Sequence, residues 1–328
     1  MTALTRRTLF TGAAAAGAAT ALTPLTAGAA RAAASEGVKS TGIYQYKVGD
    51  IEIIQLMDGA STFPMPDKFV VNASKDRAIQ AAAAAYMPEG KVVVPYSPII
   101  VNTGKKLIAI DTGNGLAAYA AHNGAVGQAR INMEAAGIDP KQIDMVIVSH
   151  FHGDHIGGLK NADGTPAFPN AEIKVPAAEL AFWSDEANAS KANFYNKPQF
   201  PNVKKMLAGL KLTPYEADKE IAPGITSVFT PGHTPGHMSY TIASGNKQVF
   251  VQTDVTNIPS FFMTHPNWHA MFDNDPEMAQ ATRHKVYDMA AADKLTVVGY
   301  HFPYPCVGHV EKAGDGYHLI PIAWDPNG

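Results

Sequence analysis

Short runs of apolar or β-branched residues recur along the chain, and most are closed by a turn pair. Ile51 to Gln55, Val92 to Val101 and Lys106 to Ile110 are such runs, ended by Asp58-Gly59, Thr103-Gly104 and Thr112-Gly113. Runs of this kind between glycine-containing turns predict successive strands of one sheet. Ala117 to Ala136 has helical composition and is stopped by Gly137, after which Asp139-Pro140 supplies an N-cap followed by proline at the first helical position. Met145 to His150, MVIVSH, then reads as a buried strand.

The second half alternates in the same way. Ala171 to Pro176 predicts a strand and Ala177 to Asn188 a helix carrying Phe182 and Trp183. Strands follow at Ile225 to Thr230, Ser239 to Ser244 and Gln248 to Asp254. Asp275-Pro276 opens a long helix through Asp293, and Leu295 to His301 is a further buried strand. No repeat, low-complexity stretch or linker divides this pattern. It predicts a single α/β domain over residues 35–328, with two sheets between helices.

Composition narrows the partners. The chain has 328 residues, 46% hydrophobic and 17% charged, enough to bury an ample core. A formal net charge of -3 provides no basic field for nucleic acid, so a small neutral molecule is the expected partner. The single cysteine, Cys306, excludes an internal disulfide framework and a cysteine-rich zinc cluster. Any metal site must draw on histidine and carboxylate.

Residues 1–34 read as a leader rather than as fold. Thr5-Arg6-Arg7-Thr8-Leu9-Phe10 carries paired arginines, Gly12 to Leu22 is a weakly apolar Ala/Gly run, and Ala27-Gly28-Ala29 is an A-x-A cleavage site. This resembles a cleaved Tat export signal. The expectation is a mature protein exported by the Tat machinery to the periplasm or beyond the cell. No stable membrane insertion of the mature chain is expected, and a homodimer is left open.

The densest chemistry lies in SHFHGDHIGG, Ser149 to Gly158. His150 and His152 stand two apart where a strand gives way to a turn, so both side chains face the same way. Asp154 and His155 follow after Gly153, whose missing Cβ is expected to let the backbone fold closely around an ion. Neutral imidazole and carboxylate suit zinc and its neighbours rather than calcium. Such a turn can feed two metals, and later strand ends supply further ligands: His233 in TPGHTPGH, Asp254 in VQTD and His301 in VVGYH. His237 competes with His233, and His309 with His301. A carboxylate such as Asp254 can bridge two cations roughly 3.5 to 4 Å apart with a shared hydroxide between them, a hydrolytic arrangement.

The order H-x-H-x-D-H, then G-H, then D, then H resembles the metallo-β-lactamase superfamily over nearly the whole mature chain. LMDG (Leu56 to Gly59) and IDTG (Ile110 to Gly113) agree with it. The resemblance implies a metallo-β-lactamase-like four-layer αβ/βα sandwich with two mixed sheets. It also implies that His150, His152 and His233 hold one metal, that Asp154, His155 and His301 hold the second, and that Asp254 bridges. Two divalent ions per chain are then expected, zinc first, with iron, manganese or cobalt as alternatives. His155, together with an aspartate rather than a cysteine at 254, departs from the zinc β-lactamases and argues against antibiotic hydrolysis.

The stretch Gly299 to Trp324, with VNTGKKLIAIDTG and FWSDEAN, is similar to the methyl parathion hydrolases and their lactonase-like relatives. The implied activity is attack of a bridging hydroxide on a small, uncharged, partly apolar lactone or ester, with organophosphate triester cleavage as a further capability. In this reading Asp154 and Asp254 serve catalysis as well as metal binding. The opposite ranking, a methyl-parathion-type enzyme first, is the alternative. Iron-dependent redox chemistry on the same fold is an alternative of another class, against which stand the absence of evident glutathione-binding basic residues and of a flavodoxin domain.

Remaining residues take supporting roles. Asp58 and Asp111 lie in turns where aspartate caps backbone amides, and are read as props beneath the metals. His237 is read as supporting the ligands from behind, Asp275 as a helix N-cap, and Cys306 is given no role. Phe63, Trp183, Phe194, Phe261 and Phe262 are expected to wall the substrate pocket.

Overall fold

Every run predicted as a strand contains one, but three of the predicted elements are divided. The helix Ala177 to Asn188 is among them, and breaks at the extended Asp185 into a helix ending at Ser184 and a short 3-10 turn. The structure, a computed structural model, describes residues 42–323, so the leader read at residues 1–34 lies outside the described residues. The first half runs β1 (Ile43–Val48), β2 (Ile51–Leu56), β3 (Gly59–Pro64), α1 (Lys75–Ala84), β4 (Lys91–Tyr96), β5 (Ile99–Asn102), β6 (Leu107–Ile110), α2 (Gly115–Ala121) and α3 (Ala129–Ala135). It continues through β7 (Met145–Ile147), α4 (Gly153–Ile156), β8 (Glu172–Pro176), α5 (Ala177–Ser184), α6 (Phe200–Leu207) and β9 (Leu212–Tyr215). The second half holds β10 (Glu220–Ala222), β11 (Ile225–Phe229), β12 (Met238–Ser244), β13 (Lys247–Thr253), α7 (Pro259–Phe262), α8 (Pro276–Ala292), β14 (Thr296–Gly299), β15 (Val307–Ala313) and β16 (Gly316–Pro321).

Two seven-stranded mixed sheets result, ordered β1-β2-β5-β6-β7-β8-β9 and β10-β11-β12-β13-β14-β15-β16. Parallel pairing is confined to β6 through β9 in the first and to β13 with β14 in the second. The alternation of side chains along each strand assembles four layers. Met145 and Ile147 face the other sheet, where Tyr240, Ile242, Val249 and Val298 meet them. Val146 and Val148 face outward and pack with Met133 of α3, Trp183 of α5 and Phe200 of α6. Beyond the second sheet, Val286 and Tyr287 of α8 pack on Phe250 and Val297. A fully buried aliphatic side chain here contributes about 1.5–3 kcal/mol of transfer free energy, so β7 needs no amphipathic pattern.

The run Val92 to Val101 is not one strand. β4 pairs with β3 in a separate two-stranded antiparallel sheet, and β5 enters the first sheet beside β2. The break falls at Ser97-Pro98, where proline lacks an N–H and biases its predecessor's backbone. The freed groups are satisfied across the chain. Leu56 N–H donates to the Pro98 carbonyl at 3.0 Å, and Ser97 Oγ donates to the Leu56 carbonyl at 3.0 Å.

Ala117 to Ala136 is likewise two helices. Gly124 and Gly127 both take φ near +80°, which ends α2 and turns the chain before α3. A Cβ on Gly127 would overlap the Gly115 carbonyl, so no other residue fits this turn. Helix α8 follows its prediction closely, because Asp275 accepts the Met278 N–H at 3.0 Å and Pro276 sits at the first helical position.

Candidate metal centre

All of the metal-ligating side chains anticipated from the sequence converge at one end of the two sheets. His150 and His152 follow β7, Asp154 and His155 ride on α4, His233 follows β11, Asp254 follows β13 and His301 follows β14. Sheet pairing explains the meeting, since β13 and β14 are parallel neighbours and deliver Asp254 and His301 side by side. Three groups have donor atoms close enough to share an ion: His150, His152 and His233; His150, His155 and Asp254; and Asp154, His155 and His301. His233 rather than His237 joins this cluster, and His309 is exposed elsewhere.

The outer nitrogen of each of these five histidines has a hydrogen-bond partner. His155 Nδ1 donates to Asp111 Oδ2 at 2.8 Å, His233 Nδ1 to Asp273 Oδ1 at 3.0 Å, and His301 Nδ1 to the Pro95 carbonyl at 2.7 Å. His152 Nε2 donates to Asn196 Oδ1 at 2.6 Å. Ser149 Oγ gives its proton to Asp111 Oδ2 at 2.8 Å, so it accepts from His150 Nδ1 at 3.0 Å. In a neutral imidazole the second nitrogen then carries a lone pair.

Those lone pairs face one another. His152 Nδ1 lies 3.0 Å from His150 Nε2 and 2.9 Å from His233 Nε2, with no hydrogen left to place between them. His155 Nε2 and Asp254 Oδ1, 3.3 Å apart, are both buried without a hydrogen-bond partner. Asp254 Oδ2 lies 2.9 Å from His301 Nε2 and 3.4 Å from His233 Nε2, and Asp154 Oδ2 lies 3.4 Å from His301 Nε2. Converging acceptors of this kind repel unless a cation sits among them, and the N and O donor set is that of zinc and its neighbours. The residues therefore fit a pair of divalent ions.

Electrostatics agrees with this division. Burial holds His150 well below the usual imidazole range and brings His152 down to about 3, so both are neutral donors. At His155 burial pulls the same way, but the carboxylates of Asp254, Asp154 and Asp111 overcome it and raise the group well above its ordinary value. His301 is raised by Asp254 and Asp154 against its own burial. That half of the centre calls for positive charge.

Two strained turns present the carboxylates. Asp111 and Thr253 both have positive φ, near +60° and +49°, although neither is glycine. Thr253 is held there by its hydroxyl, which lies 2.8 Å from His237 Nε2. His237 Nδ1 donates to the Thr230 carbonyl at 2.8 Å, and Nε2 accepts the Asp254 backbone N–H at 3.1 Å. It thus supports the Asp254 turn from behind.

Asp58 accepts from the backbone N–H and the side chain of Asn114, at 2.8 and 2.9 Å, and from Ala129 N–H at 2.8 Å. Burial still pushes its carboxyl up to about 6. Gly153 does not act as anticipated, since a Cβ there would meet no protein atom. The close approach belongs to Gly157 and Gly158, which pack against the carbonyls of Asn114 and Thr112. These glycines dock α4 on the loop that carries Asp111.

Several supporting residues carry no sequence signal of their own. Asp273 orients His233 and is met by the buried Arg283 at 3.2 Å. Glu179 lies beneath the His233 loop and accepts from Thr234 Oγ1 and from Trp183 Nε1, the latter at 2.9 Å. Burial pushes the Glu179 carboxyl up to about 7 against these donors. Replacing Asp273 with asparagine is expected to weaken metal retention by about 10–100-fold, the usual effect of removing a ligand's outer partner. Competition with a chromophoric chelator reads this directly, and unchanged retention would show that Asp273 does not orient His233.

A cavity of about 400 Å³ opens over the cluster. Phe63 lines it as anticipated, but the other expected wall residues do not. Trp183 is buried behind His152, with ring centroids 6.3 Å apart. Phe194 is 56% exposed on the outside. Phe261 and Phe262 are fully buried against Phe69, in the core that joins α7 to the two-stranded β3–β4 sheet. Tyr96, Tyr195, Met271 and Phe272 take their places. The shift by one residue from Phe194 to Tyr195 follows from Asn193, whose Oδ1 accepts the Tyr195 and Asn196 N–H groups and sets the turn.

Comparison with known proteins follows the same lines. A family model described as the metallo-beta-lactamase superfamily matches residues 93–301. An N-acyl homoserine lactonase of Bacillus sp is 33% identical over 110 residues, covering 34% of this chain and 37% of the relative. One from Bacillus thuringiensis is 25% identical over 170 residues, covering 52% and 60%. The chain thus spans only part of the length of these curated relatives.

Among solved structures, a hydrolase in the beta lactamase superfamily, AbOPH, superposes with a TM-score of 0.79 at 28% identity, covering 88% of this chain and 99% of the other. AidC, a dizinc quorum-quenching lactonase in complex with the product N-hexnoyl-L-homoserine, gives 0.81 at 26% identity, covering 87% and 98%.

Proposed function

Because this chain belongs to the metallo-beta-lactamase superfamily, we propose that it is a dinuclear metal-dependent hydrolase of small acyl lactones. The observation that carries the reading is the pair of facing donor triads joined by Asp254 at the floor of an aromatic-walled cavity with no lysine or arginine in its lining. His150, His152 and His233 would hold one ion, and Asp154, His155 and His301 the other, with Asp254 shared between them. Bound there, divalent ions, zinc first, supply Lewis acidity and an ionisable water at neutral pH.

The protein's own groups do the rest. Asp154 has a 20% exposed side chain, whereas Asp254 and His301, which also line the cavity, are buried, so it is the most open of the three to substrate. Held low at about 2, against its burial, by His155 and His301, it stays an acceptor. In this reading Asp154 accepts a hydrogen bond from the attacking water and orients it. The new C–O bond forms at the lactone carbonyl carbon, the ring C–O bond breaks, and the water's proton passes to the departing alkoxide.

Phe63, Tyr96, Tyr195 and Phe272 exclude water and hold the apolar part of the substrate, and no lysine or arginine lines the cavity. The lack of a cationic side chain to pair an anionic group favours an uncharged substrate. The same apolar walls suit an aryl phosphotriester, the second reading. Among the described residues no helix is long and apolar enough to cross a membrane. Export through the twin-arginine leader remains part of the proposal.

The test compares N-hexanoyl homoserine lactone, an aryl ester and methyl parathion on one zinc-loaded preparation. A kcat/KM for the lactone at least about tenfold above the other two is expected, and the reverse order would replace the lactone reading by the phosphotriester one.

A further inference from the structure

Two asparagines meet the cavity with their amide groups in a fixed orientation. Asn114 Nδ2 donates to Asp58 Oδ2 at 2.9 Å, and Asn257 Nδ2 donates to Asp254 Oδ2 at 3.0 Å. An ionised carboxylate only accepts, so each asparagine must turn its NH2 to the acid and its carbonyl oxygen away from it. Both side chains line the cavity, and among the described residues neither carbonyl oxygen has a hydrogen-bond partner. Nor are these oxygens shut away, since the buried unpaired atoms include Asp254 Oδ1 and His155 Nε2 but neither asparagine oxygen.

The other polar groups of the wall lean the same way. Tyr96, which lines the cavity, commits its hydroxyl proton to Ser61 Oγ at 2.9 Å and has none left to give a substrate. Tyr195 and Gln199 can act in either sense, and no lysine or arginine lines the cavity. The wall is rich in oriented acceptors and poor in committed donors. A substrate without an N–H or O–H group would desolvate both asparagine oxygens and leave them unpaired, which a site of this kind penalises.

We propose that Asn114 and Asn257 are specificity-determining residues whose carbonyl oxygens select substrates carrying an N–H donor beside the scissile ester. This rests on the lactone reading above. It also gives Asp58 a purpose beyond capping, since its carboxylate aims Asn114. An acylamino lactone meets the requirement and a phosphotriester does not.

The test uses a matched pair, α-hexanoylamino-γ-butyrolactone and its oxygen isostere α-hexanoyloxy-γ-butyrolactone, which differ only in N–H against O. The native protein should favour the amide by at least about tenfold in kcat/KM, the worth of one good hydrogen bond. Asn114→Leu and Asn257→Leu should each lower that ratio several-fold. Metal content and melting temperature are recorded for both, because Asn257 also touches Asp254. Asn114→Ser replaces Asn114→Leu if the larger side chain prevents folding.

A second readout needs no turnover. Calorimetric titration with the two ring-opened acids should show the same preference and the same loss. A native protein that cleaves neither lactone would defeat the lactone reading, and the calorimetric ratio would then decide the asparagine role alone. Loss of the preference in either variant supports the proposal. A native ratio near one in both readouts, or a preference retained in both variants, overturns it.

Discussion

Asp254→Ala is expected to lower kcat/KM by more than about 1000-fold and to reduce bound metal from about two ions per chain to one or none. The magnitude follows from position. Its Oδ1 faces His155 Nε2 at 3.3 Å, and its Oδ2 faces His301 Nε2 at 2.9 Å and His233 Nε2 at 3.4 Å. Asp254 faces members of both triads, so its loss should exceed the 10–100-fold typical of an outer partner. The metal-free fold should be little affected, because the carboxylate is costly to bury and its removal also relieves the strain of an unpaired Oδ1. Metal analysis, steady-state kinetics and thermal melting of the same samples check the three parts. Retention of a tenth of native activity would remove Asp254 from the centre of the mechanism.

Dialysis against a strong chelator should abolish activity and lower the melting temperature by roughly 10 °C, both restored by zinc. A ligand present at about 1000 times its dissociation constant stabilises the native state by about 4 kcal/mol, and in a domain of this size each kcal/mol moves the midpoint by about 2–4 °C. The structural reason is the set of lone pairs at 2.9 and 3.0 Å around His152 Nδ1, which only a cation reconciles. Differential scanning calorimetry with and without chelator provides the comparison. An unchanged midpoint would mean that the cluster does not bind metal tightly enough to matter to the fold.

The proposed ligands are legible in the sequence because each stands where an apolar run stops. A buried strand must end at the edge of the core, and a histidine or aspartate at that point has nowhere to go but the rim that neighbouring strands share. The layers are legible for the same reason, since β7 and β14 are apolar without alternation and must be covered on both faces.

What escaped the sequence depends on backbone direction. Ser97-Pro98 breaks an apolar run that periodicity joins, and Gly124 and Gly127 break a run that helical composition joins. In the same way Asn193 decides that Tyr195 rather than Phe194 faces the cavity. Asp273, Asn196 and Glu179 act through partners 40 or more residues away, and nothing nearby in the chain marks them. The sequence marks Gly153 as the pivot of the histidine turn, yet the crowding falls on Gly157 and Gly158 because the neighbouring loop lies on that side.

Strand β4 meets the centre in two different ways. Its Val94 and Tyr96 side chains line the cavity, while between them the Pro95 main-chain carbonyl holds His301. The contact that orients the ligand is therefore written in backbone, and the contacts that shape the substrate are written in side chains. Tyr96 also packs edge-on against the His301 ring, with centroids 5.4 Å apart. Position 94 is therefore where substrate range can drift without loosening His301, and the backbone contact is kept whatever side chain stands there.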